Sequence, residues 1–207
     1  MSGDVHVRIC ERLGVRLPRA TRPVLAFERE DDARRVLAVL AKRFEKYRLR
    51  LHPEKTQLVD FRSPLRAKGG GGSQRERSFD VLGFTHFWGR SRKGRWVVKQ
   101  KTAKSRFSRA VRAVSDWCRD HRHEKLAEQC VALGRKLQGH YAYYGITGNA
   151  PALARFRFEV HRVWHKWLSR RSHHGQMPWV RFNRLIRHYR LPPLRVVHSI
   201  YRHAASA

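Results

Sequence analysis

Apolar residues in the second half of the chain recur every three or four positions, and most positions between them are polar or basic. That spacing is typical of α-helices with one apolar face. Four such stripes predict a small bundle of four helices with a charged exterior. Pro192 and Pro193 follow the last stripe and cannot continue a helix. The stripes cover residues 107–118, 126–144, 153–167 and 179–189.

The first half begins with a helix. Apolar residues at helical spacing predict it over residues 31–47. Glu30, Asp31 and Asp32 lie at its start, where acidic side chains suit the positive end of the helix dipole. This accounts for the Asp31-Asp32 pair without a metal site, because neighbouring helical side chains point about 100° apart. Short strands are predicted on either side of a turn at Pro53, at Leu49 and Leu51 and at Leu58 and Phe61.

A β-hairpin is predicted further along the chain. Phe79, Val81 and Gly83 alternate as a strand, residues 89–94 turn the chain, and residues 95–99 return it. The tip of this hairpin is very basic. Strands followed by a run of helices predict an α+β fold.

The charge of the chain indicates a polyanionic partner. It has 46 Lys and Arg against 16 Asp and Glu in 207 residues, a formal net charge of +30. No acid lies between Asp80 and Asp116 or after Glu159, and both stretches mix basic with aromatic residues. This pattern is typical of nucleic-acid-binding proteins. A membrane surface is the weaker alternative, because no basic amphipathic helix stands apart from the rest.

Two motifs in the first half carry a family resemblance. Residues 47–61 read YRLRLHPEKTQLVDF and residues 79–84 read FDVLGF. With the preceding helix they resemble the end of the palm of group II intron reverse transcriptases, the maturases, where strands of the type L-x-L-x-P-x-K-T and F-x-F-L-G-F follow a helix. The resemblance implies that residues 24–99 are a remnant of this palm, with a glycine-rich loop at residues 67–73.

The helical half carries two further motifs of the same family. Residues 137–145 read LQGHYAYYG, which resembles the family's L-x-G-x-x-x-Y-Y, and residues 163–171 read VWHKWLSRR, which resembles its L-x-x-W-L-x-R-R. The resemblance implies that residues 100–207 form the all-α thumb and maturase-specific domain. Residues 1–23 match nothing in the family and are predicted to be disordered.

The catalytic motif of the family is not visible. Its Tyr-Ala-Asp-Asp should precede Val24, where this chain reads Ala20-Thr21-Arg22-Pro23. Thr21 and Arg22 therefore occupy the places of the two metal-binding aspartates. Polymerases need such carboxylates to hold the two Mg²⁺ ions of the reaction. We expect no enzymatic activity and no cofactor in this chain, Mg²⁺ being expected only for the intact polymerase.

Candidate RNA contacts follow from the charge pattern and the resemblance. Lys55 matches the lysine that follows the palm helix of the family, and a phosphate contact and a solvated strand end both remain open for it. Tyr143 lies off the stripe formed by Tyr141 and Tyr144, which leaves either stacking on an unpaired base or a plain surface position. The other candidates are Arg90, Arg92, Lys93, Arg95, Lys99, Lys101, Lys104, Arg106, Arg109, Arg112, Arg170 and Arg171.

Cysteine and histidine patterns do not predict a metal site. Cys118, His121, His123 and Cys130 form the closest cluster, but the paired spacing of zinc ligands is missing. Three cysteines and no signal peptide indicate the reducing cytoplasm and no disulfide framework. No apolar run is long enough to cross a membrane.

The sequence therefore predicts a truncated, maturase-type protein that binds structured RNA, in particular group II intron RNA, and supports its splicing. DNA is a further candidate ligand. Two alternatives stay open. The chain is an inactive, degenerate fragment of a mobile-element reverse transcriptase, or it is one part of a split RNA-directed DNA polymerase whose active site another chain supplies.

Overall fold

The computed structural model describes residues 5–8, 24–51, 56–64, 78–172 and 176–198. The chain forms two compact units, Met1–Gln100 and Lys101–Ala207. The first contains strands and one helix, and the second consists mainly of helices. The expected mixture of helices and antiparallel strands is confirmed, while the family identity of each unit stays a prediction.

A three-stranded antiparallel sheet and one helix open the first unit. Its strands are β1 (Val5–Arg8), β2 (Val24–Phe27) and β3 (Gln57–Val59), and β1 lies between the other two. Helix α1 (Glu30–Lys46) confirms the predicted helix and carries the three acids in its first turn. It buries Ala33 completely against side chains that are only partly buried, so the core around α1 is thin.

The end of α1 corrects the strand predicted at Leu49 and Leu51. Arg48 takes a left-handed conformation with φ of 57°, and the backbone N–H groups of Arg48 and Leu49 donate to the carbonyls of Glu45 and Phe44. This is the hydrogen-bond pattern of a Schellman cap, here with arginine in the place that glycine usually takes. Leu49 therefore closes the helix instead of starting a strand. Phe61 lies just beyond β3 and is buried.

A second three-stranded sheet follows, with strands β4 (Phe79–Val81), β5 (Phe84–Arg90) and β6 (Trp96–Thr102) in that order. Between β4 and β5, Leu82 and Gly83 have φ of 49° and 84°. Two consecutive left-handed residues form the tightest kind of hairpin turn. The prediction that Gly83 continues the strand is therefore wrong, and the expected basic hairpin consists of β5 and β6.

The second unit contains the four predicted helices: α2 (Lys104–Asp120), α3 (Leu126–Tyr144), α4 (Ala150–Leu168) and α5 (Trp179–His188). α2 packs mainly against α4. The core is much larger than the one around α1 and centres on the fully buried side chains of Leu133, Leu137, Phe156, Trp164 and Phe182.

The buried face of α4 differs slightly from the predicted stripe. Trp164 and Leu168 are buried, whereas Val163 and Trp167 are only half-buried. Trp164 and Leu168 continue from Val160 in steps of four residues, and each such step turns about 40° beyond a full turn of 3.6 residues, so the buried face rotates slowly around α4. The indole N–H of Trp167 instead donates to the hydroxyl of Ser115 on α2, at 3.1 Å.

A buried asparagine joins three elements at the start of α4. The side-chain oxygen of Asn149 accepts the backbone N–H of Thr102 at 3.0 Å. Its amide nitrogen donates to the Thr102 hydroxyl at 2.9 Å and to the Tyr144 carbonyl at 2.8 Å. Only 1% of Asn149 is exposed. The end of β6, the end of α3 and the start of α4 are thereby held together by one side chain.

The chain after α5 returns to the end of α3. The backbone N–H groups of Val197 and His198 both donate to the carbonyl of Gly145, at 2.8 Å each. A Cβ atom on Gly145 would lie 2.9 Å from the carbonyl oxygen of Arg195, and it would also collide with the carbonyl oxygen of Tyr141. Glycine at position 145 of the Y-Y-G motif therefore allows a close approach of two backbones.

Candidate nucleic-acid interface

The tip of the β5–β6 hairpin presents two cations. The backbone N–H of Ser91 donates to the Arg95 carbonyl at 2.7 Å, and that of Gly94 donates to the Ser91 carbonyl at 3.0 Å. Gly94 has φ of 73°, a conformation that glycine adopts without strain. Arg92 and Lys93 occupy the apex between these bonds, and both are exposed. A polyanion can reach both charges without displacing any structured group.

The cations along the hairpin strands contact the sheet itself. The guanidinium of Arg90 lies 4.8 Å from the centre of the Trp96 ring and donates to the Gly94 carbonyl at 2.9 Å. The aliphatic stem of Lys99 crosses Gly89, where a Cβ would meet it at 2.9 Å. Arg90 and Lys99 nevertheless remain exposed, as do Arg95 and Lys101. For Lys99, the stem lies along the sheet at Gly89 while the residue stays exposed, a common arrangement for long basic side chains.

The first two turns of α2 form a second basic surface, which we call the α2 basic face and define as Lys104, Arg106, Arg109 and Arg112. All are exposed except Arg106, which is half-buried. None of them forms an ion pair within the described part of the chain. At about 1.5 Å per residue, the face extends along about 12 Å of helix.

Tyr143 belongs to the same region of the second unit. Burial raises the pKa of the neighbouring Tyr144 phenol, whereas the charges of Arg106 and Arg109 act to lower it, so both arginines lie within electrostatic range of Tyr144. The rings of Tyr143 and Tyr144 meet edge to face, 4.7 Å apart. Tyr143 is 53% exposed. The fold thus brings a solvent-facing aromatic ring close to the α2 basic face, although α2 and Tyr143 are separated in sequence.

Arg170 and Arg171 have different surroundings. Arg171 is half-buried and donates to the carbonyls of Arg122 and Glu124 in the loop between α2 and α3; its burial lowers the pKa of its guanidinium. The side-chain amide of Gln129 donates to the same two carbonyls, at 3.2 and 3.1 Å. Arg171 therefore fastens the loop, and an RNA contact by it stays a prediction. Arg170 is exposed.

An open cleft of about 1070 Å³ lies beside Arg170 and was not predicted from the sequence. The α2–α3 loop, the last turn of α4, residues 176–178 and Trp179 form its walls. Sequence analysis placed Trp179 in the apolar stripe of α5, yet 51% of this residue is exposed. The sequence feature that could have indicated this cleft is the positive charge around Trp179, because the stretch after Glu159 contains no acid.

Neighbouring side chains hold the indole of Trp179, the aromatic wall of the cleft, in place. The His165 ring stacks on the Trp179 indole with centroids 4.0 Å apart and planes 19° apart. His165 Nε2 donates to the Met177 carbonyl at 2.7 Å, which fixes the imidazole. Phe182 meets the indole edge to face at 5.7 Å.

Several sequence predictions fall outside the described residues: Lys55, Thr21 and Arg22, the glycine-rich loop and Cys10. Within the described ranges, no group of three or more His, Cys, Asp or Glu side chains is placed to hold a metal ion. Cys118 is buried on the apolar face of α2, and this burial raises the pKa of its thiol to about 12. None of the helices in the described ranges is long and apolar enough to cross a membrane.

Comparisons with protein-family models, with curated proteins and with solved structures returned no match.

Proposed function

We propose that this chain binds structured RNA as a maturase-type protein without polymerase activity. The observation that carries the proposal is the α2 basic face, whose cations form no ion pairs within the described residues; two of them, Arg106 and Arg109, act electrostatically on Tyr144, which contacts the exposed ring of Tyr143. Phosphates supply most of the affinity in nucleic-acid binding, and aromatic side chains stack on unpaired bases.

The basic hairpin tip and the absence of acids after Glu159 support the same proposal. So do the four maturase-like motifs. Group II intron RNA is the ligand that the motifs suggest, and DNA remains the second candidate. The proposed site of action is the cytoplasm, which suits the free thiols of Cys118 and Cys130. The proposal includes no cofactor.

A charge-reversal experiment tests RNA binding. Arg109→Glu should weaken binding to a structured intron RNA and to an unrelated RNA of equal length alike. It should also reduce the slope of log affinity against log salt by roughly 0.7–0.9 for each phosphate that the variant no longer binds. Arg162→Glu is the matched control, because Arg162 already pairs with Glu159 at 3.1 Å on the same unit. Equal effects of the two variants would show that net charge, and not the α2 basic face, determines binding.

The absence of polymerase activity has a separate test. The purified chain should not extend a primer on an RNA template in the presence of Mg²⁺, because Thr21 and Arg22 replace the expected aspartates. Extension above that of a mock purification would contradict this part of the proposal and would leave RNA binding standing.

One observation favours the alternative of an inactive remnant. In the described part of the first unit, Ala33 and Phe61 are the only buried apolar residues, whereas the second unit has a continuous buried cluster. A palm cut from its upstream strands would have such a thin core. Failure of the full chain to bind any structured RNA would favour this alternative.

A further inference from the structure

The cleft beside Trp179 contains an exposed tryptophan that packing of the core does not explain. Burial of apolar surface stabilises a core, but about half of Trp179 stays in solvent. His165 is held by the Met177 carbonyl and supports the indole from one side. An indole fixed in this way and still accessible is suited to stacking on a planar ligand, because little freedom is left to lose on binding.

Packing explains the charge of the cleft only in part, because Arg171 also holds the loop between α2 and α3. Arg122, Lys166, Arg170 and Arg171 line it together with Trp179. The C-terminal end of α4 supplies only about half a negative charge, which is small beside four cations. Among the described residues, Lys166 and Arg170 form no ion pair with an acid, and they lie 5.2 and 5.3 Å from the centre of the Trp167 ring.

We propose that this cleft binds one unpaired nucleotide of an RNA, with the base stacked on Trp179 and the neighbouring phosphate held by Lys166 and Arg170. The inference rests on the proposed RNA-binding function and assigns a separate subsite to it. The volume of about 1070 Å³ is at the upper end of the range that holds drug-sized ligands. The faces of a paired base are covered by the neighbouring base pairs of the helix and cannot stack on Trp179. The site therefore selects single-stranded RNA, bulges or loops.

The test compares two probes on the full chain, a decauridylate and a blunt RNA duplex. Trp179→Ala should weaken binding of the decauridylate by roughly 5- to 150-fold, the effect of removing one aromatic side chain on which a base stacks, and should leave duplex binding unchanged. Trp179→Phe should restore most of the affinity. Phe158→Ala is the matched control, because Phe158 is 59% exposed and has an arginine 6.0 Å from its ring but does not line the cleft.

Arg170→Gln is the second variant, since it leaves the aromatic wall intact. It should weaken decauridylate binding and lower its salt dependence. Thermal melts show that each variant is folded. Photo-crosslinking of a 5-iodouridine oligonucleotide should label Trp179.

Each other outcome overturns the inference. If Trp179→Ala binds decauridylate like the unchanged chain, or loses affinity for both probes equally, the cleft does not hold an unpaired base. If a polyglutamate peptide binds with the same dependence on Trp179, the site is one for acidic peptides. In either case, duplex binding that depends on Arg109 would still support the proposed RNA-binding function. If the chain binds neither probe, both the cleft as a nucleotide site and the RNA-binding function are wrong.

Discussion

Replacing Asn149 by alanine should destabilise the helical unit by about 1–3 kcal/mol. The change removes three hydrogen bonds and leaves the buried backbone N–H of Thr102 without a partner, whereas the Tyr144 carbonyl still accepts the backbone N–H of Ile146 at 2.9 Å. A buried polar group that loses its partner costs about 1–3 kcal/mol. The Thr102 hydroxyl can rotate and adds little. The expected loss is a large fraction of the stability of a typical domain, about 5–15 kcal/mol.

Denaturant titration of the full chain, followed by tryptophan fluorescence, measures this loss as a shift of the midpoint at constant slope. Asn183→Ala, at an exposed position of α5, is the matched control and should change stability by less than about 0.5 kcal/mol. Asn149→Asp should retain the hydrogen bond from the Thr102 backbone N–H. Its second carboxylate oxygen, however, would face the carbonyl oxygen of Tyr144, where the amide now donates. A loss below about 1 kcal/mol for Asn149→Ala would refute the argument that this side chain holds the three elements together.

Three further predictions concern acid, a glycine and the first unit. Burial lowers the pKa of His140 from 6.5 to about 4, so the unfolded chain binds a proton between these pH values and the native chain does not. The free energy of unfolding should therefore fall by about 1–2 kcal/mol as the pH drops through this window. The His140→Gln variant should lose less stability in a parallel pH titration. Gly145→Ala should speed amide hydrogen exchange at Val197 and His198, whose N–H groups donate to the carbonyl of Gly145. Gly139→Ala, at a position with open space around it, should not change this exchange. Equal exchange in the two variants would contradict the close approach of the two backbones at Gly145. Lys101–Ala207 should unfold more sharply than the full chain and stay soluble at moderate salt; a single, higher melting transition of the full chain would show that the first unit is an integral part of the fold.

The helices were predictable because their stripes are long. Each of the four stripes runs for about three turns or more, and a face of that length outweighs local exceptions. Proline and glycine marked the end of α5 and the hairpin tip as expected. Only the last two positions of the α4 stripe were placed one residue away from the buried face, since Trp164 and Trp167 are equally apolar in sequence and only packing distinguishes them.

The short elements were harder to predict. Leucine at position 82 and arginine at position 48 take left-handed conformations that side chains normally avoid. The turn at Arg48 therefore had no sequence signal, and the one at Leu82 had only Gly83 beside it. At the candidate site, charge alone predicted the exposed cations on the hairpin and on α2. It could not distinguish Arg170 from Arg171, because the carbonyls that Arg171 contacts come from a loop nearly fifty residues earlier. The cleft was missed because an exposed tryptophan at helical spacing resembles a core residue.

The return of the chain to the end of α3 has a practical consequence for fusion proteins. His198 donates through Nε2 to the Ala142 carbonyl at 2.9 Å, one residue before Tyr143. A sequence attached at Ala207 begins nine residues after His198, and nine extended residues span at most about 32 Å, so it begins within reach of the tyrosines and of the α2 basic face. An acidic affinity tag at that end would compete with RNA for the same arginines and would make a functional protein look inactive. A neutral tag, or one cleaved before assay, avoids this artefact.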